Sequence, residues 1–118
     1  MSRRNKNIGD WGEDQACIFL RRHRFEIVGR NFYTATGEID IIARKGGDYY
    51  FIEVKTRMQN ELANDSSITY IKKERLNKAV KTYCYKNNIG GCSIILAGLI
   101  IAVDKVQKKV NFRFCAFC

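Results

Sequence analysis

Two short runs, Gly37-Glu38-Ile39-Asp40 and Glu53-Val54-Lys55, hold three carboxylates and an ammonium at spacings that a β-hairpin would bring face to face. Between them lies Lys45-Gly46-Gly47-Asp48, and a Gly-Gly pair between two β-like runs predicts a tight turn. With Gly46 and Gly47 as the loop, Lys45 faces Asp48. Counting outward along both strands then sets Asp40 opposite Glu53 and Glu38 opposite Lys55. Side chains alternate along a strand, so Asp40, Glu53, Lys55 and Glu38 are expected on one face. Opposed carboxylates repel each other. A divalent cation between them would turn that repulsion into attraction.

The elements that must carry these residues follow from periodicity and punctuation. The hairpin strands are predicted over Gly37–Arg44 and Asp48–Arg57, preceded by a strand over Phe25–Thr34. A first helix is expected from Asp10, as its cap, to Arg24. The polar stretch from Met58 to Ser67 reads as a loop. A second helix should begin at Ile68 or Tyr70 and end at Lys86, closed by Asn87-Asn88 and Gly90-Gly91. Strands over Ile94–Val103 and Lys109–Phe114 complete the order α-β-β-β-α-β-β. On the first helix Glu13, Ala16, Cys17 and Leu20 share one stripe, and on the second Lys72, Leu76, Ala79, Val80 and Tyr83 do so. Glu13 and Lys72 are thus charges on core-facing stripes, each about one turn from a helix start. Either alone is explained by the helix dipole or by a snorkelling stem. Together with a carboxylate pair on the sheet they point to one convergent site.

A chain of 118 residues is one domain by size, with residues 1–7 as a basic, mobile tail. Lysines and arginines number 21 against 12 acids, a net charge of +9 that favours a polyanionic partner such as nucleic acid. Arg57, Lys73, Arg75 and Lys78, with Arg3, Arg4 and Lys6, are placed to track phosphates. The run Arg21-Arg22-His23-Arg24 also suits the end of a helix, and His23 has no catalytic role in this reading. Tyr49 and Tyr50 read as sheet and core residues rather than base-stacking platforms. The longest apolar run, from Cys92 to Val103, falls short of the roughly 18 residues that span a membrane. No secretory leader is read at the amino terminus, and the five cysteines are an odd number, so reduced thiols and a cytoplasmic location are expected. Cys115 and Cys118 have metal-ligand spacing but lack a second pair, unless Cys84 and Cys92 complete a zinc site.

Gly9-x-x-Gly12-Glu13-x-x-Ala16, Arg30-Asn31, Gly37-Glu38-Ile39-Asp40, Phe51-Ile52-Glu53-Val54-Lys55-Thr56-Arg57, Ile68-Thr69-x-x-Lys72 and Ala116-Phe117 together resemble the YraN family. These are small proteins of the PD-(D/E)XK nuclease-like superfamily, and the resemblance covers nearly the whole chain. It implies a restriction-endonuclease-like αβββαβ core, a mixed sheet flanked by helices, similar to Holliday-junction resolvases. It also implies a metal-dependent endonuclease acting on DNA, including branched or single-stranded forms. In that reading Asp40 and Glu53, with the Val54 carbonyl, bind Mg²⁺ or Mn²⁺. Lys55 orients or deprotonates the attacking water, and Glu13 holds a second metal or a water. Lys72 meets the phosphate, while Glu38 steadies Lys55 by an ion pair. Resolvase-like relatives imply a homodimer. The alternatives are a non-catalytic nucleic-acid-binding accessory module of repair or recombination, and a redox- or zinc-responsive protein using Cys115 and Cys118.

Overall fold

Central strands that are apolar on both faces need a cover on each face, and the chain supplies two helices to provide it. The computed structural model describes residues 3–58 and 70–116. Its elements are α1 (Arg3–Arg22), β1 (Glu26–Thr34), β2 (Gly37–Lys45), β3 (Asp48–Met58), α2 (Tyr70–Lys86), β4 (Ile94–Asp104) and β5 (Lys109–Ala116). The five strands form one sheet in the order β1-β2-β3-β4-β5. Only β3 and β4 run parallel, and the other neighbours are antiparallel. This mixed sheet between two helices has the element order expected of a restriction-endonuclease-like core. The polar stretch from Met58 to Ser67 lies, from residue 59 onward, outside the described residues, as do Thr69, Phe117 and Cys118.

Each helix buries the stripe that its periodicity marks out. Ala16, Cys17 and Leu20 of α1 pack on Ile41, Ala43, Ile52, Ala97, Leu99 and Ile101. Leu76, Ala79 and Val80 of α2 pack on Ile39, Ile42, Phe51 and Leu96 from the other side. The first helix starts at Arg3, ahead of the expected Asp10, and stops at Arg22, short of Arg24. Its end is set by a left-handed Arg24 at φ 68°, with Phe25 N–H closing back on the Leu20 carbonyl at 2.9 Å. The second helix ends the same way, through a left-handed Asn88 and an Ile89 N–H bond to the Cys84 carbonyl.

The hairpin has the predicted register. Gly46 and Gly47 take φ of 60° and 85°, the paired positive values of a two-residue turn matched to strand twist. Lys45 pairs with Asp48, and the ladder continues in phase to Ile41 and Ile52, where it stops. The parallel strand instead carries β3 onward beside β4 as far as Met58 and Val103.

Helix α2 approaches the start of β2 closely enough that only glycine fits. A Cβ on Gly37 would stand 2.6 Å from the Arg75 carbonyl oxygen and 3.1 Å from its carbon, both backbone atoms that cannot rotate aside. Gly37→Ala is therefore expected to push the first half of α2 off the sheet, at a cost of about 1–3 kcal/mol. Thermal unfolding reads this directly; an unchanged midpoint would show that the helix is not seated on Gly37.

Candidate active site

Beyond the Ile41–Ile52 pair, β2 loses strict alternation. Ile41 packs with the α1 layer, yet Ile39, two residues earlier, packs with the α2 layer. Across on β1, Arg30 pairs with Ile41 and Phe32 with Ile39 in unbroken register, and the intervening Asn31, opposite Asp40, adopts a left-handed φ of 57°. Asp40 sits in this irregularity. Its Oδ2 accepts the Val54 N–H at 2.8 Å, taking a backbone donor from the strand beside it. In a continued antiparallel ladder that N–H would be spent on a backbone carbonyl. The side chain thus takes over where the strands stop pairing.

The electrostatics of Asp40 are those of a charge in the wrong solvent. Burial pushes its carboxyl up from 3.8 to about 7, against the Val54 hydrogen bond, and the Glu13, Glu38 and Glu53 carboxylates push it the same way. Asp40 is therefore the point where acids from α1, β2 and β3 converge in field. The expectation of a single shared face is corrected in detail. Glu53 and Lys55 open toward α2, whereas Asp40 turns to the β3 backbone and Glu13 belongs to α1.

On the α2 side, Gly37, Glu38, Glu53, Lys55, Lys72, Arg75 and Leu76 line a cavity of about 220 Å³. Lys55 Nζ lies 3.2 Å from Glu53 Oε1, with the two side chains 25% and 19% exposed, so the pair is shielded from bulk solvent. Lys55 pairs with Glu53 of its own strand, and not with Glu38 as the cross-strand register suggests. The reason is the same parting of β2 from β3, since Glu38 lies past the last ladder pair. Lys72 is held below its ordinary value by burial and by the neighbouring Lys55 ammonium, with Arg57 adding to the effect and Glu53 opposing it. Arg75 lines the same cavity, while Lys73 and Lys78 occupy other positions on α2. The side chains of Arg3, Arg4 and Lys6 are not among those described.

On the α1 side, sequence reasoning missed two positioning residues. Arg30 of β1 bonds Asp14 Oδ1 at 2.9 Å and Glu13 Oε1 at 3.4 Å. Burial raises the Glu13 carboxyl, and hydrogen bonds from Asn31 and Arg30 hold it back. Polar residues inside a strand otherwise covered by a helix were the available signal, and it pointed only to a sequence pattern. Arg30→Met is expected to raise the Glu13 titration midpoint further, because a cation that favours the charged form is removed while the burial stays. Carboxyl-carbon NMR measures it, and a midpoint that stays or falls would deny Arg30 this role.

Among the described residues, no group of three His, Cys, Asp or Glu side chains is close enough to cage a metal ion. That holds for Cys84 and Cys92 as well, and Cys118 lies outside the described residues. A family described as "Uncharacterised protein family UPF0102" matches residues 12–115. The chain belongs to UPF0102. This is the YraN family, so the resemblance read from the motifs is borne out. A UPF0102 protein of Geobacter metallireducens is 41% identical over 122 residues, covering 97% of this chain and 100% of the relative. One from Clostridium perfringens is 42% identical over 120 residues, covering 99% and 98%. One from Campylobacter jejuni is 44% identical over 106 residues, covering 90% and 93%. The UPF0102 match runs from the middle of α1 to Cys115 in β5 and includes Glu13, Arg30, Asp40, Glu53, Lys55, Lys72 and Arg75.

Proposed function

We propose that this UPF0102 protein is a metal-dependent endonuclease that hydrolyses phosphodiester bonds in nucleic acid, with DNA, including branched or single-stranded forms, as the substrate. The observation that carries the reading is Asp40: a mostly buried carboxyl, accepting the Val54 N–H and raised to about 7 by burial and by the fields of Glu13, Glu38 and Glu53. Burying such a group without a compensating charge is unfavourable, and a divalent cation is the compensation that also does chemistry. The donor set suits Mg²⁺ or Mn²⁺, because Mg²⁺ takes one or two carboxylates and fills its shell with water and substrate oxygens instead of requiring a protein cage. Asp40, Glu53 and the Val54 carbonyl would hold it, with Glu13 steadying a second ion or a water. A cation held there would supply Lewis-acid polarisation of the scissile phosphate. Lys55, anchored by Glu53, orients the attacking water and stabilises the negative charge that develops. Lys72 and Arg75 meet the phosphate from α2, and Arg57, Lys73 and Lys78 extend the contact along the strand, which makes affinity strongly salt-dependent.

Among the described residues no helix is long and apolar enough to cross a membrane. Cys17, Cys84, Cys92 and Cys115 are free thiols, in keeping with the cytoplasmic location included in this proposal, as is a homodimer like those of resolvases. A second reading draws on the net charge of +9, which binding alone would use: a non-catalytic nucleic-acid-binding accessory module of repair or recombination. A panel of linear, flapped and four-way DNA substrates separates the two. The nuclease cleaves with Mg²⁺ or Mn²⁺, stops in EDTA while still binding, and is inactive as Glu53→Ala. Binding without turnover under every metal condition would select the accessory module.

A further inference from the structure

The α1 side of the sheet carries a second cavity that the proposed hydrolysis does not use. Phe19, His23, Phe25, Lys45, Tyr50 and Phe114 line a space of about 390 Å³. Phe25 meets Tyr50 edge-on at 4.9 Å between ring centroids, and Phe114 lies 5.9 Å from Phe25 and 6.3 Å from Tyr50. Phe19 stacks on Phe112 at 4.6 Å and tilts against His23 at 4.3 Å. The Lys45 ammonium stands 4.9 Å from the Phe25 ring centre.

Aromatic rings gathered for stability alone usually close over one another as core. Here every lining residue keeps part of its surface open to solvent. The space lies within the range of small-ligand pockets. Tyr49, the neighbour on the opposite face, behaves as sequence reasoning expected and packs beneath α2 with Phe51. Tyr50 is likewise a sheet residue packed against the α1-side core, and its half-buried ring also lines the cleft. The charge is one-sided as well. Among the described residues no carboxylate lines the cavity, the charged group there is the Lys45 ammonium, and exposed Arg21, Arg22 and Arg24 flank His23 in the chain. An apolar peptide would gain nothing from those cations. A flat ring joined to an anion satisfies both features.

We infer that this cleft holds an unpaired nucleobase of single-stranded nucleic acid, stacked among Phe25, Tyr50 and Phe114, with Lys45 and the arginines at the end of α1 taking the adjoining phosphates. Stacking on protein rings accepts any base but requires it to be free of its partner, so the cleft selects for unpaired strands. The inference rests on the proposed reading only in taking nucleic acid as the partner.

The test uses the full chain in EDTA, so that binding is measured without cleavage. A fluorescein-labelled oligothymidylate is compared with a duplex of equal length, for the wild type, Phe25→Leu and Tyr50→Leu. Leucine keeps most of the apolar contact with the core and removes the ring face. Single-strand affinity is expected to fall about tenfold or more in each variant, with duplex affinity unchanged. A 5-iodouracil-substituted oligothymidylate should photo-cross-link to Phe25, Tyr50 or Phe114, a readout that needs no variant. Equal losses on both ligands, unchanged single-strand affinity in folded variants, or adducts confined to the groove of Lys55 and Arg75 would each overturn the inference. A protein that cross-links through Tyr50 yet cleaves nothing would leave the cleft standing and remove the nuclease reading.

Discussion

Replacing Asp40 by asparagine is expected to abolish cleavage and, in the absence of metal, to make the protein more stable above neutral pH. The loss of cleavage should exceed the roughly hundredfold that a supporting residue costs at a metal site, because the carboxylate proposed to grip the ion is gone. The gain in stability follows from proton linkage. The folded protein keeps the Asp40 proton up to about pH 7, whereas an unperturbed carboxyl loses it near 3.8. Between those values the folded state binds more protons than the unfolded one, so stability falls as pH rises from about 4 to about 7 and levels off beyond. The gap corresponds to about 4 kcal/mol. Asparagine cannot ionise, and its carbonyl oxygen can still accept the Val54 N–H. In EDTA at pH 8 the variant should therefore withstand more urea than the wild type, with the difference vanishing near pH 4. Equal urea midpoints at pH 8, together with retained cleavage, would remove Asp40 from the centre of the site.

Lys55→Met should separate turnover from binding. With the ammonium gone, the single-turnover rate is expected to drop by about two to four orders of magnitude, the usual contribution of a positioned proton-handling group. Affinity for DNA in EDTA should change only by the share of one lost cation. The same substitution relieves Lys72. The neighbouring Lys55 ammonium is one cause of its lowered value, so its titration should move up toward that of an ordinary lysine, as followed by NMR of the lysine side-chain carbons. Loss of binding in parallel with rate would make Lys55 a phosphate contact and nothing more.

The hairpin was legible because its turn has a chemical requirement. Two adjacent positive φ values demand residues like Gly46 and Gly47, and once the loop is placed the register follows by counting. The helical stripes were legible because Ala16, Cys17 and Leu20, and Leu76, Ala79 and Val80, can be buried together only in a helix. What could not be counted was the departure from regularity at Asp40. Period-two alternation predicts residues 38, 40 and 42 on one face and 39 and 41 on the other, yet Ile39 joins Ile42 beneath α2 while Ile41 packs beneath α1. The β2–β3 ladder ends at Ile41 and Ile52, which leaves the Val54 N–H to the Asp40 side chain and Glu38 beyond the last pair. The roles of Arg30 and Asn31 escaped for a different reason, since a bond between β1 and α1 depends on tertiary placement and leaves no periodic trace. Nor does spacing reveal that the half-buried Tyr50 also lines a cleft.

The parallel pairing of β3 with β4 has a consequence for the order in which the molecule comes alive. Parallel neighbours cannot be joined by a tight turn, so the segment bearing Lys72 and Arg75 is also the one that must travel across the sheet before the fourth strand can dock. A nascent chain that has left the ribosome only as far as Met58 owns the hairpin acids and Lys55, but neither Lys72 nor Arg75, which line the same cavity from α2. The cavity closes only once α2 is in place, so a half-made copy carries the acids without the pocket.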